Sequence, residues 1–326
     1  MQVAPQHATV EPRPLAGRGR RLVALETLGD GRVGPLLRGL EAGARPPSEL
    51  ERRLPGLERS SLAERLARLE RIGALRRTVG RAPGRRVRYR LTPAGEELMG
   101  VANVLDAWAE RAAYGDLVAR PSDAMAKALV AGWASGLMAA LAAGPARRAH
   151  LERAAPALAH HQLESRLRGL LRAGLVERLA SARGGGRIAL TSRGREAMGP
   201  VLAALVWDHA HAASPAPPRP HDVATAMVIG FPLVVVSRHR RGLVTLTVAD
   251  PGRPGSAELV RAQAGDGRVE AHVGVAEQGE LAGWAHGEIA EWGDTLVRGR
   301  RGIHVAGEPG LVTAILNALR DRLFPE

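Results

Sequence analysis

The chain contains one structural unit twice, about one hundred residues apart. At an offset of 101 positions, leucines and glycines of one stretch fall on leucines and glycines of the next. The clearest matched pairs are Leu62 with Leu163, Leu66 with Leu167, Leu69 with Leu170, and Gly73 with Gly174. Past a stretch rich in Gly and Arg the offset becomes 99, so Trp108 falls on Trp207. The two-residue change of offset is a shorter loop, which is where copies of one unit are expected to differ in length. We therefore expect both copies to adopt the same fold.

The unit reads as three helices followed by a hairpin. In the first copy, leucines recur at helical spacing over residues 33 to 42 and 58 to 72, and a short helix begins at Pro47 between them. Gly73 ends the third helix, and residues 75 to 79 and 87 to 91 alternate as two strands around a basic turn. Helix, short helix, helix and basic hairpin is the order of a winged helix-turn-helix unit.

The motifs of this unit also resemble a known family. They are residues 24 to 31, 36 to 40, 48 to 50 and 66 to 73, the run from Tyr89 to Leu98, and Trp108. On these residues the chain is similar to the HxlR family of bacterial winged-helix regulators, over residues 21 to 112 and again over 124 to 212. The family usually has a tryptophan early in the unit; Arg32 takes that position in copy one, and Trp133 provides the tryptophan in copy two. The resemblance implies a DNA-binding homodimer, which two copies in one chain would reproduce as a covalent pseudo-dimer.

The net charge supports a polyanionic partner for the repeated region. Counted along the chain, residues 1 to 120 carry a net +8, residues 121 to 220 carry +7, and residues 221 to 326 carry −2. A basic region joined to a nearly neutral one is typical of a nucleic-acid-binding part attached to a second module. We therefore expect double-stranded DNA as the partner. Charge alone leaves membrane surfaces open, but no run of about 18 uncharged apolar residues is present, so no membrane partner is expected.

Two sets of side chains are candidates for contacting that DNA. On the third helix of each copy they are Ser60, Ser61, Glu64, Arg65 and Arg68, and His161, Gln162, Ser165 and Arg166. In the wings they are Arg81, Arg85, Arg86 and Arg88, and Arg183 and Arg187. A helix of this kind fits the major groove, and guanidinium groups of the wings can follow phosphates or enter a minor groove. A solvated helix face and arginines kept for solubility are the alternatives. Because the two helix faces differ, we expect the operator to be an imperfect palindrome.

A proline-rich segment marks the boundary of a third region. Residues 213 to 221 read as a stiff, extended linker, and the chain beyond it is predicted to be separable. There, residues 243 to 248, 269 to 273 and 302 to 305 are predicted strands, and residues 277 to 286 and 311 to 323 are predicted helices. The resulting fold class is mainly α with small β wings, in two winged helix-turn-helix units at 21–120 and 121–212, plus an α+β domain at 222–326. Residues 1 to 20 are expected to be a disordered arm.

The third region resembles the sterol carrier protein 2 fold, most clearly over residues 287 to 323. That resemblance implies an apolar cavity between a sheet and helices. The candidate wall residues are Met227, Phe231, Trp284, Trp292 and Leu296, although core packing explains each of them as well.

The residue types present exclude several kinds of chemistry. The chain has no cysteine, so disulfides, thiolate zinc sites and cysteine nucleophiles are ruled out. The sequence shows no pairing of a nucleophile with a base, no catalytic pair of carboxylates and no set of metal ligands. We therefore expect no catalytic residue, no cofactor and no metal. The sequence thus predicts a cytoplasmic transcription regulator whose C-terminal domain senses a small apolar ligand or mediates assembly. The alternative is a protein that sequesters such a ligand in the C-terminal cavity.

Overall fold

The computed structural model describes residues 21–56, 58–79, 87–113, 121–180, 186–213, 217–250, 252–253, 256–274 and 280–325. The arm predicted at residues 1 to 20 lies outside these ranges. No helix among the described residues is both long enough and apolar enough to cross a bilayer.

Both copies have the predicted order of elements. Copy one consists of α1 (Val23–Leu28), α2 (Val33–Gly39), α3 (Pro47–Arg53), α4 (Arg59–Arg71), β1 (Leu75–Val79), β2 (Val87–Leu91) and α5 (Pro93–Ala113). Copy two consists of α6 (Pro121–Ala134), α7 (Leu137–Ala140), β3 (Ala146–Arg147), α8 (Arg148–Ala154), α9 (His160–Arg172), β4 (Val176–Leu179), β5 (Arg187–Leu190), α10 (Ser192–Glu196) and α11 (Met198–His211). The third helix of each copy, α4 or α9, buries three leucines on one stripe, at the positions that define the repeat.

The equivalence of the copies extends to single backbone positions. Gly73 and Gly174, which follow α4 and α9, both have positive φ, at 78° and 65°. A residue with a side chain adopts that conformation only with strain, so these glycines stop both helices at the same place. The isolated bridge between Arg45 and Tyr89 corresponds to the pairing of Ala146 with Ile188 in the second wing.

Helix α11 is the centre of the molecule. Residues 198 to 208 are all buried, so the helix is apolar on every side. Such a helix needs neighbours all around it, and it contacts α1 and α5 of copy one as well as helices of the C-terminal region.

The C-terminal region is a five-stranded sheet with helices on one face. Its elements are α12 (Pro220–Gly230), a 3₁₀ turn (Phe231–Leu233), β6 (Gly242–Ala249), β7 (Glu258–Gly265), β8 (Arg268–Val273), β9 (Leu281–Glu288), α13 (Ile289–Leu296), β10 (His304–Gly307) and α14 (Pro309–Leu323). The strand order is β10-β9-β6-β7-β8, and only the β6–β9 pair is parallel. This is the α+β layout expected for the region.

One predicted helix is wrong. Residues 277 to 286 were expected to be helical, but the chain from Leu281 to Glu288 is strand β9, and residues 275 to 279 lie outside the described ranges. Buried Gly283, Ala285 and Gly287 alternate with exposed or half-buried residues, which is the period of a strand. These buried residues are too small to stand out as an apolar pattern in the sequence.

The C-terminal region packs closely against the repeated units, and its separability stays a prediction. A single hydrophobic core runs through all three regions. A side chain at Gly293 of α13 would come within 2.6 Å of Val206 of α11, and one at Gly199 of α11 would come within 2.4 Å of the Leu323 carbonyl. Because the two regions pack this closely, separating them is expected to expose apolar surface on both sides.

Candidate nucleic-acid interface

A Thr-x-x-Gly motif joins each wing to the helix that follows it. Thr92 Oγ1 accepts a hydrogen bond from the Gly95 amide at 3.1 Å and donates to the Gly73 carbonyl at 2.6 Å. In copy two, Thr191 Oγ1 accepts from the Gly194 amide at 3.0 Å and donates to the carbonyl of Gly174 at 2.7 Å. A Cβ at either Gly95 or Gly194 would lie 2.0 Å from a backbone carbonyl oxygen. The motif thus fixes the wing against its unit, and only glycine permits the approach.

The two copies face each other through reciprocal tryptophan contacts. Trp108 Nε1 donates to the carbonyl of Arg193 at 3.3 Å, and Trp207 Nε1 donates to the carbonyl of Ala94 at 2.8 Å. Trp108 and Trp207 are repeat-equivalent, and so are Ala94 and Arg193. When a contact from the first copy to the second is repeated by the equivalent residues from the second copy to the first, the interface has the arrangement of a two-fold dimer. The chain is therefore arranged as a pseudo-dimer with α5 and α11 at its interface.

Asp208 adds a contact that the two-fold does not repeat. Its carboxylate accepts hydrogen bonds from the backbone amides of Val23 and Ala24, at 2.7 and 2.9 Å, and so caps the N-terminus of α1. Burial, with a smaller contribution from the charge of Glu26, raises the pKa of this carboxyl to about 6 against the opposing effect of the two amide donors. The equivalent residue of copy one is Ala109, so only one copy has this cap.

The predicted reading faces are partly exposed. In α4, Ser60 and Glu64 are exposed, whereas Ser61 and Arg68 are half-buried. In α9, His161, Gln162 and Ser165 are exposed, and the Gln162 side-chain oxygen accepts a hydrogen bond from the Ala159 amide at 3.0 Å.

Arg65 and Arg166 are not free on these faces, which corrects their assignment as exposed. Arg65 Nε lies 2.7 Å from Asp30 Oδ2, and its side chain is 20% exposed. Arg166 Nη1 donates to the carbonyl of Ala131 at 3.2 Å. The two arginines are repeat-equivalent, and so are Asp30 and Ala131. Each arginine therefore ties its helix to the start of its own unit.

Three further arginines of α4 and α9 are exposed but were not among the residues predicted from the sequence. Arg71, Arg168 and Arg172 are all exposed, and Arg71 is the equivalent of Arg172. Continuing the helical spacing of three and four residues from Glu64 and Ser165 would have reached all three of them.

The two wing candidates that the structure describes, Arg88 and Arg187, are exposed. Arg88 of β2 donates from Nη1 to the Ala44 carbonyl at 3.2 Å, and Arg187 begins β5. The other wing candidates lie outside the described residues: Arg81, Arg85, Arg86 and Arg183.

An ion cluster joins all three regions. Glu97 of α5 accepts hydrogen bonds from His211 at the end of α11, at 3.1 Å, and from Arg298 after α13, at 2.7 Å. Burial acts to raise the pKa of Glu97, but the bonds from His211 and Arg298 outweigh it and hold the pKa below its ordinary value. A second ion pair, between Arg322 of α14 and Glu196 of α10, lies at 2.6 Å. The C-terminal region is thus held against both copies.

The five candidate ligand-wall residues do not form one wall. Met227, Phe231, Trp292 and Leu296 are buried in the core between sheet and helices. Trp284 lies on the open face of the sheet and is 44% exposed. There it lines an apolar groove with Thr245, Thr247, Leu281, His286 and His304. The part of the chain that the structure describes holds no group of three potential metal ligands.

Comparison with known proteins places this geometry in a family. Residues 29–115 and 129–214, together more than half of the chain, match the HxlR-like helix-turn-helix family. A transcriptional regulator of the MarR family from Enterococcus faecalis V583 has a solved structure that is 31% identical over 28% of this chain and 84% of its own, with a TM-score of 0.27. No curated protein matches the chain. The chain belongs to the HxlR-like helix-turn-helix family of transcriptional regulators, which are not enzymes, and it contains the domain of that family twice.

Proposed function

We propose that one chain binds a pseudo-palindromic operator in double-stranded DNA by presenting α4 and α9 to successive major grooves. The observation that carries this proposal is the reciprocal pair of contacts made by Trp108 and Trp207. Family members that act as homodimers use two copies of one helix, and here both copies are on one chain. The two helices are then expected about 34 Å apart, which is one turn of the duplex.

The operator halves are expected to differ. Copy one offers Ser60, Ser61 and Glu64, whereas copy two offers His161, Gln162 and Ser165 at the corresponding positions. Side chains on base edges determine sequence preference, so each copy prefers its own half-site. The wing arginines contribute affinity for phosphates of any sequence.

The C-terminal region, which we propose is sterol-carrier-like, responds to a small apolar ligand. The support for its regulatory role is the cluster of Glu97, His211 and Arg298, through which a shift of this region would reach both DNA-binding units. A ligand changes the DNA affinity only by its differential affinity for the two states. The groove beside Trp284 and the interior between sheet and helices are the two places for that ligand.

A role in ligand sequestration alone is less consistent with the charge distribution. The excess of +15 on residues 1 to 220 is what a DNA-binding region needs, and a sequestering protein does not need it.

The proposed function is tested with duplexes from the region upstream of the gene that encodes the protein. Fluorescence anisotropy measures the affinity for each duplex and for a scrambled duplex of equal length and composition. We expect a preference of about a thousandfold or more for one upstream segment at fixed salt. Equal affinity for all duplexes would contradict sequence-specific regulation, and the absence of binding at low salt would contradict DNA binding altogether.

A further inference from the structure

A basic groove lies where the two copies meet, and we refer to it as the central groove. Its charged lining residues are Arg21, Glu26, Arg68, Lys127 and Arg166, and its volume is about 410 Å³. They come from α1, α4, α6, α9 and the residues just before α1. The groove is therefore built by both copies together.

The repeat places the central groove on the pseudo-two-fold axis. Glu26 and Lys127 are repeat-equivalent at the offset of 101, and Gly29 and Val130 are equivalent as well. All four line the groove. A site lined by both members of equivalent pairs lies where the axis passes between the copies.

The charge of the groove is strongly positive. Four basic side chains face one carboxylate, and Glu26 is already within 3.6 Å of Arg21 Nε. Arg166 Nε is buried and has no hydrogen-bond partner among the described residues, while Lys127 is exposed. Arg68, Lys127 and Arg166 therefore form a concentration of positive charge that favours an anion.

The position of the groove identifies that anion. Arg68 belongs to α4 and Arg166 to α9, so the groove lies between the two reading helices. A duplex that contacts both helices at once must span the space between them, where the groove lies. We propose that the central groove binds phosphates at the centre of the operator and that Lys127 makes the principal contact. This inference rests on the proposed DNA binding.

The contact is asymmetric although the fold is not. Lys127 of copy two corresponds to Glu26 of copy one, and Arg68 of copy one corresponds to Gly169 of copy two. Each copy therefore supplies a cation that the other lacks. Phosphates on the two strands at the operator centre are held by different side chains, which adds a fixed orientation to the binding.

The chain provides an unusually direct probe, because Lys127 is its only lysine. Amine-selective acetylation followed by peptide mass spectrometry reports the reactivity of this one side chain. We expect saturating operator duplex to slow acetylation of Lys127 by at least about tenfold. Inorganic phosphate at the same concentration of phosphate groups is expected to leave the rate unchanged. An unchanged rate in the duplex complex would overturn the proposal, as would equal protection by inorganic phosphate, which indicates a site for a small anion.

Charge variants test the same contact by affinity. Lys127→Gln should make the slope of log affinity against log salt less steep by about 0.9. The loss of DNA affinity between 50 and 200 mM salt is then about 3- to 4-fold smaller than in the wild type. Lys127→Arg should retain the slope, and the matched control Arg253→Gln, an exposed arginine in the C-terminal region, should leave it unchanged. If the wild type binds DNA and Lys127→Gln behaves like Arg253→Gln, the central groove is not a DNA contact, although the proposed function stands. If the wild type binds no DNA, both fail.

Discussion

Asp208 makes the stability of this protein depend on pH in an unusual direction. Its side chain joins α11 of copy two to the start of α1 in copy one, and it is 2% exposed. Most buried carboxylates that accept backbone hydrogen bonds titrate low, whereas here burial outweighs the bonds and raises the pKa from 3.8 to about 6. The folded protein therefore binds a proton at this site more tightly than the unfolded chain does.

The sign and size of the effect follow from this shift. Between pH 4 and 6 the folded state holds more protons than the unfolded state, so this group's contribution to stability falls as the pH rises. A shift of about 2 pKa units corresponds to about 3 kcal/mol at 1.36 kcal/mol per unit, and most of it is lost between pH 4 and 7. Above pH 7 the full cost of the buried charge is present.

The substitution Asp208→Asn isolates this contribution. The amide does not titrate, but its NH2 group cannot accept the hydrogen bond that one carboxylate oxygen accepts from Val23 or Ala24, so the variant should already be less stable than the wild type near pH 4. As the pH rises to 7.5, the free energy of unfolding of Asp208→Asn should increase relative to that of the wild type by about 3 kcal/mol. Urea unfolding at a series of pH values, followed by tryptophan fluorescence, measures the difference. A difference that does not change with pH would refute the reasoning.

Three further predictions concern single contacts. Gly95→Ala should destabilise the protein by about 1 to 3 kcal/mol, because the new Cβ would lie 2.0 Å from the Ala74 carbonyl oxygen. Gly100→Ala in the same helix places its Cβ within 4 Å of nothing and should stabilise the protein by about 0.5 to 1 kcal/mol. Thermal unfolding compares the two variants. Trp207→Phe removes the hydrogen bond to the Ala94 carbonyl and should weaken operator binding. Trp292→Phe removes an equally buried hydrogen bond to the Thr247 carbonyl within the C-terminal region and should leave operator binding unchanged. Fluorescence anisotropy measures both affinities, and equal losses of affinity would be evidence against the pseudo-dimer contact. The contact of Glu97 with Arg298 and His211 contributes stability that is lost as the pH falls through the lowered pKa of Glu97. Glu97→Gln should remove this acid dependence, and hydrogen exchange at α13 would detect the change.

The repeated units could be predicted from the sequence because their signals are local. Leucine stripes mark α4 and α9, and Gly73 and Gly174 end both helices with positive φ. The partners of Arg65 and Trp207 could not be predicted in the same way. Arg65 pairs with Asp30 in the loop between α1 and α2, and Trp207 donates to a backbone carbonyl 113 residues away, which no side-chain pattern reveals.

The C-terminal region was harder to predict for two physical reasons. Strand β9 packs through Gly283, Ala285 and Gly287, whose small side chains leave no apolar period in the sequence. Helix α12 is buried on all sides from Val223 to Gly230, so it lacks the polar face by which an amphipathic helix is recognised. The same uniform burial places Met227 in the core between the sheet and the helices.

The central claim is that one chain presents two reading helices as a pseudo-dimer on DNA. Hydroxyl-radical footprinting at a measured stoichiometry tests it most directly. The account predicts that one chain protects two half-sites whose centres are about 10 base pairs apart on the duplex. Protection of a single half-site by one chain, or of two half-sites only when two chains are bound, would contradict it.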